Sequence, residues 1–134
     1  MSLEATILIY DDDAAIGQAL SAALSDAGYI NVLVTHHFEA ALEVLEGHAP
    51  VDLLLADMVV PSGLSGIALA RMARLRQPRV QVIFVTGHNI PEGERHAWPV
   101  LLKPLSEAQL LKEVSRALKT SPPPVVGGDN KVQS

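Results

Sequence analysis

The residues in this sequence that could do chemistry are three aspartates, a threonine and a lysine. Asp11 and Asp12 follow the apolar run ATILIY, and Asp57 ends the run LLLAD. Thr86 and Lys103 lie at the ends of two later runs, VQVIFVT and VLL. Three carboxylates that lie close together repel one another unless a cation lies among them. Magnesium suits such a site, because it is held by one or two carboxylates, by water and by phosphate oxygens.

A lysine and a hydroxyl beside those carboxylates would bind the oxygens of a phosphoryl group. The ammonium of Lys103 would neutralise part of the charge, and the hydroxyl of Thr86 would donate a hydrogen bond. Together with the aspartates, these two residues indicate transfer of a phosphoryl group to a carboxylate.

These residues can meet only if the strands before them share one edge of a sheet. Helical spacing of apolar residues follows the first, second, third and fifth strands. Such alternation predicts an α/β fold, a five-fold βα repeat with one parallel sheet and helices on both faces. The predicted strands cover residues 5–10, 31–35, 53–57, 80–86 and 100–102.

Several other residues that could do chemistry are expected to have structural roles instead. Asp13 is expected to be a helix N-cap, but a cap uses one aspartate and does not explain Asp11 and Asp12. His36 and His37 are expected to be solvent-exposed rather than metal ligands, because no carboxylate or cysteine lies at ligand spacing. Two further expectations are a capping box formed by Ser106 with Gln109, and a packing role for Trp98.

The length and composition of the chain limit the classes of protein to which it can belong. The chain of 134 residues suits one domain, expected over 4–119, with a Pro/Gly-rich tail or linker over 120–134. Its net charge of -5 argues against a basic surface that binds nucleic acid directly. There is no cysteine, and no apolar run approaches the length of a membrane span. We therefore expect a cytoplasmic protein with no membrane partner.

The five residues in this order resemble the receiver domain of bacterial two-component response regulators, the CheY-like family. The resemblance covers approximately residues 5–119. It implies a flavodoxin-like, doubly wound (βα)5 fold with strand order 2-1-3-4-5. It also implies that Asp57 accepts a phosphoryl group from a phosphohistidine of a sensor histidine kinase or phosphotransfer protein, and that the domain then signals through contacts with an unknown downstream protein.

The resemblance also implies roles around Asp57. Asp12 and Asp57 would bind Mg²⁺ directly, the Val59 backbone carbonyl would be a third protein ligand, and Asp11 would act mainly through water. Thr86 would reach a phosphoryl oxygen and move on phosphorylation, and Lys103 would pair with the phosphoryl group. Pro104 would follow a cis peptide bond.

Two departures from the family bear on signalling. Val100 lies three residues before the lysine, where receivers usually carry Tyr or Phe, so an aromatic ring cannot rotate there. The interval between Thr86 and Lys103 is short and rich in proline, so its helix, the fourth of the repeat, is expected to be short or absent. The run FVTGH at residues 84–88 resembles a subgroup of short-helix receivers that are stand-alone or attached to hybrid kinases.

Two hypotheses follow from these departures. The loop from His88 to Trp98 would become ordered or shift when Thr86 engages phosphate, in place of a ring rotation. Val59 cannot orient water with its side chain, so self-dephosphorylation of Asp57 is expected to be slow.

Two other functions stay open at this point. Asp11 and Asp13 form a D-x-D pair after the first strand, as in phosphohydrolases of the haloacid dehalogenase type, but such an enzyme would leave Asp57 unexplained. The chain could also be a receiver-like binding domain that is never phosphorylated. If it is a receiver, we expect it to catalyse only its own phosphorylation and dephosphorylation.

Overall fold

Five parallel strands form one sheet, with α-helices on both faces. The computed structural model describes residues 2–58, 66–87 and 98–119. The strands are β1 (Thr6–Tyr10), β2 (Asn31–Thr35), β3 (Leu53–Asp57), β4 (Gln81–Thr86) and β5 (Val100–Leu102). The α-helices are α1 (Ala14–Asp26), α2 (Phe38–Glu46), α3 (Gly66–Arg76) and α4 (Glu107–Lys119). A short 3-10 helix, Ser2–Glu4, precedes β1.

The order of the strands across the sheet is β2-β1-β3-β4-β5, and every pairing is parallel. At the carboxyl edge, Tyr10 of β1 pairs with Thr35 of β2 and with Ala56 of β3. Asp57 pairs with Val85 of β4. The predicted flavodoxin-like fold and its strand order are confirmed.

Alternate residues of each central strand enter two separate cores. Leu8 and Leu54 pack in the core under α2 and α3, whereas Ile7 and Leu53 pack in the core under α1 and α4. Every residue of β3 and β4 is buried, as expected for strands covered on both faces. This burial holds the carboxyl ends of the strands in fixed positions.

The predicted elements agree with the structure to within one residue at most strand ends. β1 begins at Thr6 and β4 at Gln81, each one residue later than predicted. Leu75 belongs to α3 as predicted, but its side chain is 72% exposed. Residues 88–97 of the segment expected to hold at most a short helix, 88–99, lie outside the described residues, as does the tail, 120–134.

Two predicted helix starts are confirmed by side-chain caps. Asp13 Oδ1 accepts hydrogen bonds from the backbone N–H groups of Ala15 at 2.9 Å and Ile16 at 3.2 Å. Ser106 Oγ accepts one from the Gln109 N–H at 3.0 Å. These bonds satisfy N–H groups that the first turn of a helix otherwise leaves without partners.

Within the described ranges, no helix is long and apolar enough to cross a membrane.

Candidate functional site

Backbone hydrogen bonds extend the sheet one residue beyond several strand ends. The Asp11 N–H donates to the Thr35 carbonyl at 3.1 Å. The Lys103 N–H donates to the Thr86 carbonyl at 2.8 Å. Because their backbones are still tied to neighbouring strands, the side chains of Asp11 and Lys103 project from fixed points on the carboxyl edge.

Three carboxylates meet at this edge. One carboxylate oxygen from each of Asp11, Asp12 and Asp57 lies within 4.8 Å of the others. Asp11 and Asp57 are buried, with 1% and 6% of their surface exposed, and Asp12 is half-buried. Oxygen donors at this spacing, with one side open to solvent, fit a hard divalent cation such as Mg²⁺. We refer to these three residues as the acidic cluster.

The ammonium of Lys103 lies against two members of the acidic cluster. Its Nζ is 2.9 Å from Asp11 Oδ2 and 3.1 Å from Asp57 Oδ2. Burial by itself would lower the pKa of Lys103, but the hydrogen bonds and negative charges of Asp11 and Asp57 outweigh it and raise the pKa. Lys103 is therefore charged at neutral pH and neutralises part of the negative charge of the acidic cluster.

Asp11 is held through both of its carboxylate oxygens. Oδ1 accepts a hydrogen bond from the Asp13 N–H at 2.9 Å, and Oδ2 accepts from Lys103. Each oxygen still has a second lone pair, which could bind a water molecule or a metal ion. The orientation of this carboxylate is therefore set by the protein alone.

The acidic cluster affects the pKa of Tyr10, the last residue of β1. Burial raises the pKa of Tyr10, and the charges of Asp12 and Asp57 raise it further. The ring packs edge-on against Phe38, with ring centroids 6.3 Å apart. Burial and the negative charges of the cluster thus both disfavour ionisation of Tyr10.

The structure places Thr86 at the same edge. Thr86 is 1% exposed and directly follows Val85, the partner of Asp57 in the sheet. Val59 lies outside the described residues. The predicted cis bond is present between Lys103 and Pro104.

Gly66 is a residue near the site whose importance the sequence reasoning missed. Its N–H donates to the Met58 carbonyl at 2.9 Å, so the first residue of α3 touches the chain just after β3. A Cβ at this position would collide with the carbonyl oxygen of Asp57. Only glycine permits α3 to approach Asp57 so closely. A glycine at a loop-to-helix junction was the available signal.

His36 was also missed, and the expectation that it is solvent-exposed was wrong. Its side chain is half-buried, and Nδ1 lies 3.0 Å from the backbone carbonyl oxygen of Asp11. His37, the N-cap residue of α2, is exposed as expected. The two neighbouring histidines therefore have different environments, which their sequence spacing does not reveal.

The predicted packing role of Trp98 is confirmed. Its ring packs edge-on against Phe84 of β4, with centroids 6.3 Å apart, and the guanidinium of Arg74 lies 5.4 Å from the ring centroid. Val100, two residues later, is half-buried against the same core. Of the loop from His88 to Trp98 that is proposed to move, residues 88–97 lie outside the described residues.

The phosphohydrolase alternative has no support among the described residues. Asp13, the second aspartate of the D-x-D pair, is exposed, and its Oδ1 caps α1. The described carboxylates that could share a metal ion are Asp11, Asp12 and Asp57. Asp57 has a place in this group that the phosphohydrolase interpretation does not explain.

The family model described as the response regulator receiver domain matches residues 7–115. The DNA-binding transcriptional regulator NtrC of Escherichia coli (strain K12) is 33% identical over 119 residues. That alignment covers 84% of this chain and 24% of NtrC. The transcriptional regulatory protein AruR of Pseudomonas aeruginosa is 32% identical over 128 residues, which cover 89% of this chain and 51% of AruR. The chain thus spans about a quarter to a half of these relatives.

Solved structures resemble the chain over most of its length. A response regulator receiver protein from Sinorhizobium medicae superposes with a TM-score of 0.75 and 28% identity, covering 87% of this chain and 95% of its own. The chemotaxis protein CheY4 of Vibrio cholerae gives a TM-score of 0.76 and 27% identity, with 86% and 99% covered. In both proteins the similarity extends over nearly the whole of the solved chain.

Proposed function

The chain belongs to the response regulator receiver domain family, and we therefore propose that Asp57 is the residue that accepts the phosphoryl group in two-component signalling. The observation that carries this proposal is the position of the Asp57 carboxylate. It lies in the acidic cluster, and its Oδ2 is 3.1 Å from the ammonium of Lys103. A nucleophilic carboxylate, a cation and metal-ligating oxygens are thus brought to one point.

The proposed reaction is attack by an Asp57 carboxylate oxygen on the phosphorus of a phosphohistidine. The new bond joins this oxygen to phosphorus, the phosphorus–nitrogen bond breaks, and its electron pair returns to the imidazole of the donor. Lys103 would neutralise charge on the transferred oxygens, and Thr86 would donate a hydrogen bond to one of them. The product is an acyl phosphate on Asp57.

Asp12 and Asp57 are proposed as the side chains that hold Mg²⁺, with the Val59 carbonyl as a third ligand and Asp11 acting mainly through water. When bound, the ion would stabilise negative charge on the phosphoryl oxygens. The fit rests on three carboxylate oxygens within 4.8 Å of one another, two of them from buried residues. Lys103 alone cannot neutralise three carboxylates, which leaves charge for a divalent cation to balance.

We propose that the only chemistry of this domain is its own phosphorylation and dephosphorylation. The histidine kinase or phosphotransfer protein that supplies the phosphoryl group would act in the cytoplasm. The downstream partner would be a protein that distinguishes the two states of Asp57. A segment from 120 onward would serve as a tail or linker to the 4–119 domain.

A groove beside Lys103 is proposed as the surface that receives the phosphodonor protein. It has a volume of about 580 Å³, and α1 contributes Ala19, Leu20 and Ala23 to its lining, with Pro104 and Leu105 opposite. Lys103, whose ammonium contacts Asp11 and Asp57, also lines the groove. A protein whose phosphohistidine reaches Asp57 must cover this surface, and small apolar side chains suit a packed helix.

The groove is tested by comparing two phosphodonors. We expect Ala19→Glu to slow phosphorylation by a phosphorylated histidine phosphotransfer domain at least about tenfold, because a buried unpaired charge opposes docking. Phosphorylation by acetyl phosphate, which needs no docking, should change little. Ala22→Glu is the control, since Ala22 is exposed on α1 and does not line the groove. Equal slowing with both donors would contradict the proposal.

The phosphoacceptor itself is tested by trapping with beryllofluoride and Mg²⁺. The wild-type chain should bind one beryllofluoride group, and Asp57→Ala should abolish binding. Asp52→Ala is a control, since Asp52 is exposed and lies at the opposite end of the same strand, where its Oδ2 accepts from the Thr6 N–H. Trapping that persists in Asp57→Ala would overturn the assignment.

A further inference from the structure

We propose that His36 is a positioning residue of this site, which fixes the peptide between Asp11 and Asp12 by donating a hydrogen bond to it. The inference rests on the proposed function, because it concerns the same metal-binding carboxylates. Nδ1 of His36 is 3.0 Å from the backbone carbonyl oxygen of Asp11. This carbonyl belongs to the peptide group that joins two members of the acidic cluster.

The direction of the hydrogen bond follows from the chemistry of the acceptor. A backbone carbonyl oxygen can only accept, so Nδ1 must carry the proton. In the neutral ring this selects the tautomer that is protonated on Nδ1, and Nε2 is then an acceptor. His36 therefore holds the peptide without contributing a negative charge to the site.

The bond continues the sheet beyond the end of β2. The Asp11 N–H donates to the Thr35 carbonyl at 3.1 Å, so β2 fixes the N–H group of Asp11. In a continuing parallel strand, a backbone N–H of the second strand would donate to the Asp11 carbonyl. β2 ends at Thr35, and the ring N–H of His36 takes this place. The consecutive residues Thr35 and His36 thus bond the N–H and the carbonyl of Asp11.

Gly17 of α1 provides the space that the imidazole occupies. Gly17 is buried, and a Cβ there would lie 3.2 Å from Cε1 of His36 and 3.2 Å from Cγ1 of Val34. A ring confined between α1 and the end of β2 has little freedom to leave the Asp11 carbonyl. The position of His36 is therefore a property of the packed fold.

The hydrogen bond from His36 affects the position of the Asp12 carboxylate relative to that of Asp57. Rotation of the peptide after Asp11 would swing the Asp12 carboxylate relative to Asp57, and Mg²⁺ requires near-ideal placement of its oxygen ligands. Residues that orient metal ligands through hydrogen bonds commonly change metal affinity by about ten- to a hundredfold when they are removed. We expect His36 to act at the lower end of this range, because it acts through the backbone.

The experiment compares two substitutions by calorimetric titration with Mg²⁺. In His36→Asn, the amide nitrogen is bonded to Cγ as Nδ1 is in histidine, so it can donate from nearly the same place. His36→Leu keeps the branch at Cγ and removes the donor. We expect the leucine variant to bind Mg²⁺ about tenfold more weakly than wild type, and the asparagine variant to bind within about threefold of wild type. Thermal unfolding confirms that each variant is folded during the titration.

Each outcome decides the proposal. A leucine variant that binds within about threefold of wild type overturns it, as does an asparagine variant that is as weak as the leucine variant. NMR of the imidazole nitrogens gives a readout that does not depend on metal, and a neutral His36 protonated on Nε2 would also overturn the proposal. If the wild-type chain binds no Mg²⁺, the proposed metal site itself fails, which distinguishes that failure from the failure of His36 alone.

Discussion

Lys103 Nζ lies 3.1 Å from Asp57 Oδ2, although the two residues are 46 positions apart in the chain. The same nitrogen is 2.9 Å from Asp11 Oδ2. One ammonium therefore holds together carboxylates from β1 and β3 before any phosphoryl group arrives.

Removing this ammonium should destabilise the fold in a way that Mg²⁺ partly reverses. We expect Lys103→Met to lower the free energy of unfolding by about 1–3 kcal/mol, less than for a fully buried pair because 17% of the lysine side chain is exposed. Added Mg²⁺ should recover part of the loss, since it supplies another cation to the cluster. Urea denaturation with and without Mg²⁺ measures both effects. Lys112→Met, at an exposed position of α4, should cost little.

The raised pKa of Lys103 predicts a loss of stability at alkaline pH. A folded-state pKa above the unfolded value of 10.5 stabilises the fold fully below that value and loses this contribution as pH rises through the folded pKa. The difference in unfolding free energy between wild type and Lys103→Met should therefore shrink above pH 10.5. Denaturation across this range tests the sign. A difference that grows with pH would mean that the ammonium is destabilised in the fold.

Gly66→Ala should damage the site through the backbone of Asp57. The added methyl group collides with the Asp57 carbonyl oxygen, so α3 or the end of β3 must shift. We expect a loss of about 1–3 kcal/mol of stability and weaker beryllofluoride trapping. Gly87→Ala is the matched control, because among the described residues the nearest atom to its Cβ would be Lys103 Cδ at 4.0 Å. If both variants behave alike, the close approach at Gly66 has no special importance.

Asp13→Ala should weaken α1 and leave phosphorylation intact. The aspartate accepts from two N–H groups in the first turn, and loss of such a cap costs about 1 kcal/mol. Asp13→Ser should retain most of that stability, since serine is also a good cap. Chemical denaturation measures the cap, and phosphorylation by acetyl phosphate measures the site. A loss of phosphorylation on Asp13→Ala in folded protein would revive the D-x-D interpretation.

Gln77→Ala should destabilise the fold at a point far from the acidic cluster. Its Oε1 accepts from the Val51 N–H at 2.6 Å, and its Nε2 donates to the Leu45 carbonyl at 3.1 Å. Removing the side chain takes away the partners of a backbone N–H just before β3 and of a carbonyl in the last turn of α2, at a cost of about 1–3 kcal/mol. Gln18→Ala, at an exposed position of α1, is the control and should change stability little. Phosphorylation of Asp57 should be unaffected in both folded variants.

The meeting of Asp57 and Lys103 could be predicted from the sequence because it depends on topology. Asp57 ends β3 and Lys103 follows β5, and the carboxyl ends of parallel strands lie on one edge whatever the details of packing. The N-cap role of Asp13 was likewise local enough to predict, since it requires only a helix start.

The roles of His36 and Gly66 could not be predicted, because each depends on how closely two elements approach. The ring of His36 reaches Asp11 because α1 offers a glycine opposite it, and Gly66 matters because α3 touches β3. Hydrophobic periodicity sets which face of a helix is buried, but it does not set such distances. The roles of Val59 and of the 88–98 loop stay predictions.

The order of the strands has a consequence for how the chain folds. Asp11 follows β1 and Lys103 follows β5, with β3 and β4 between them, and the two residues are 92 positions apart. Contacts between such distant parts of a chain form late, because they require the intervening structure to be in place. We therefore expect nascent or truncated chains that lack β5 to leave the carboxylates without their internal counter-ion, so that competence for signalling arises only when the last strand has joined the sheet.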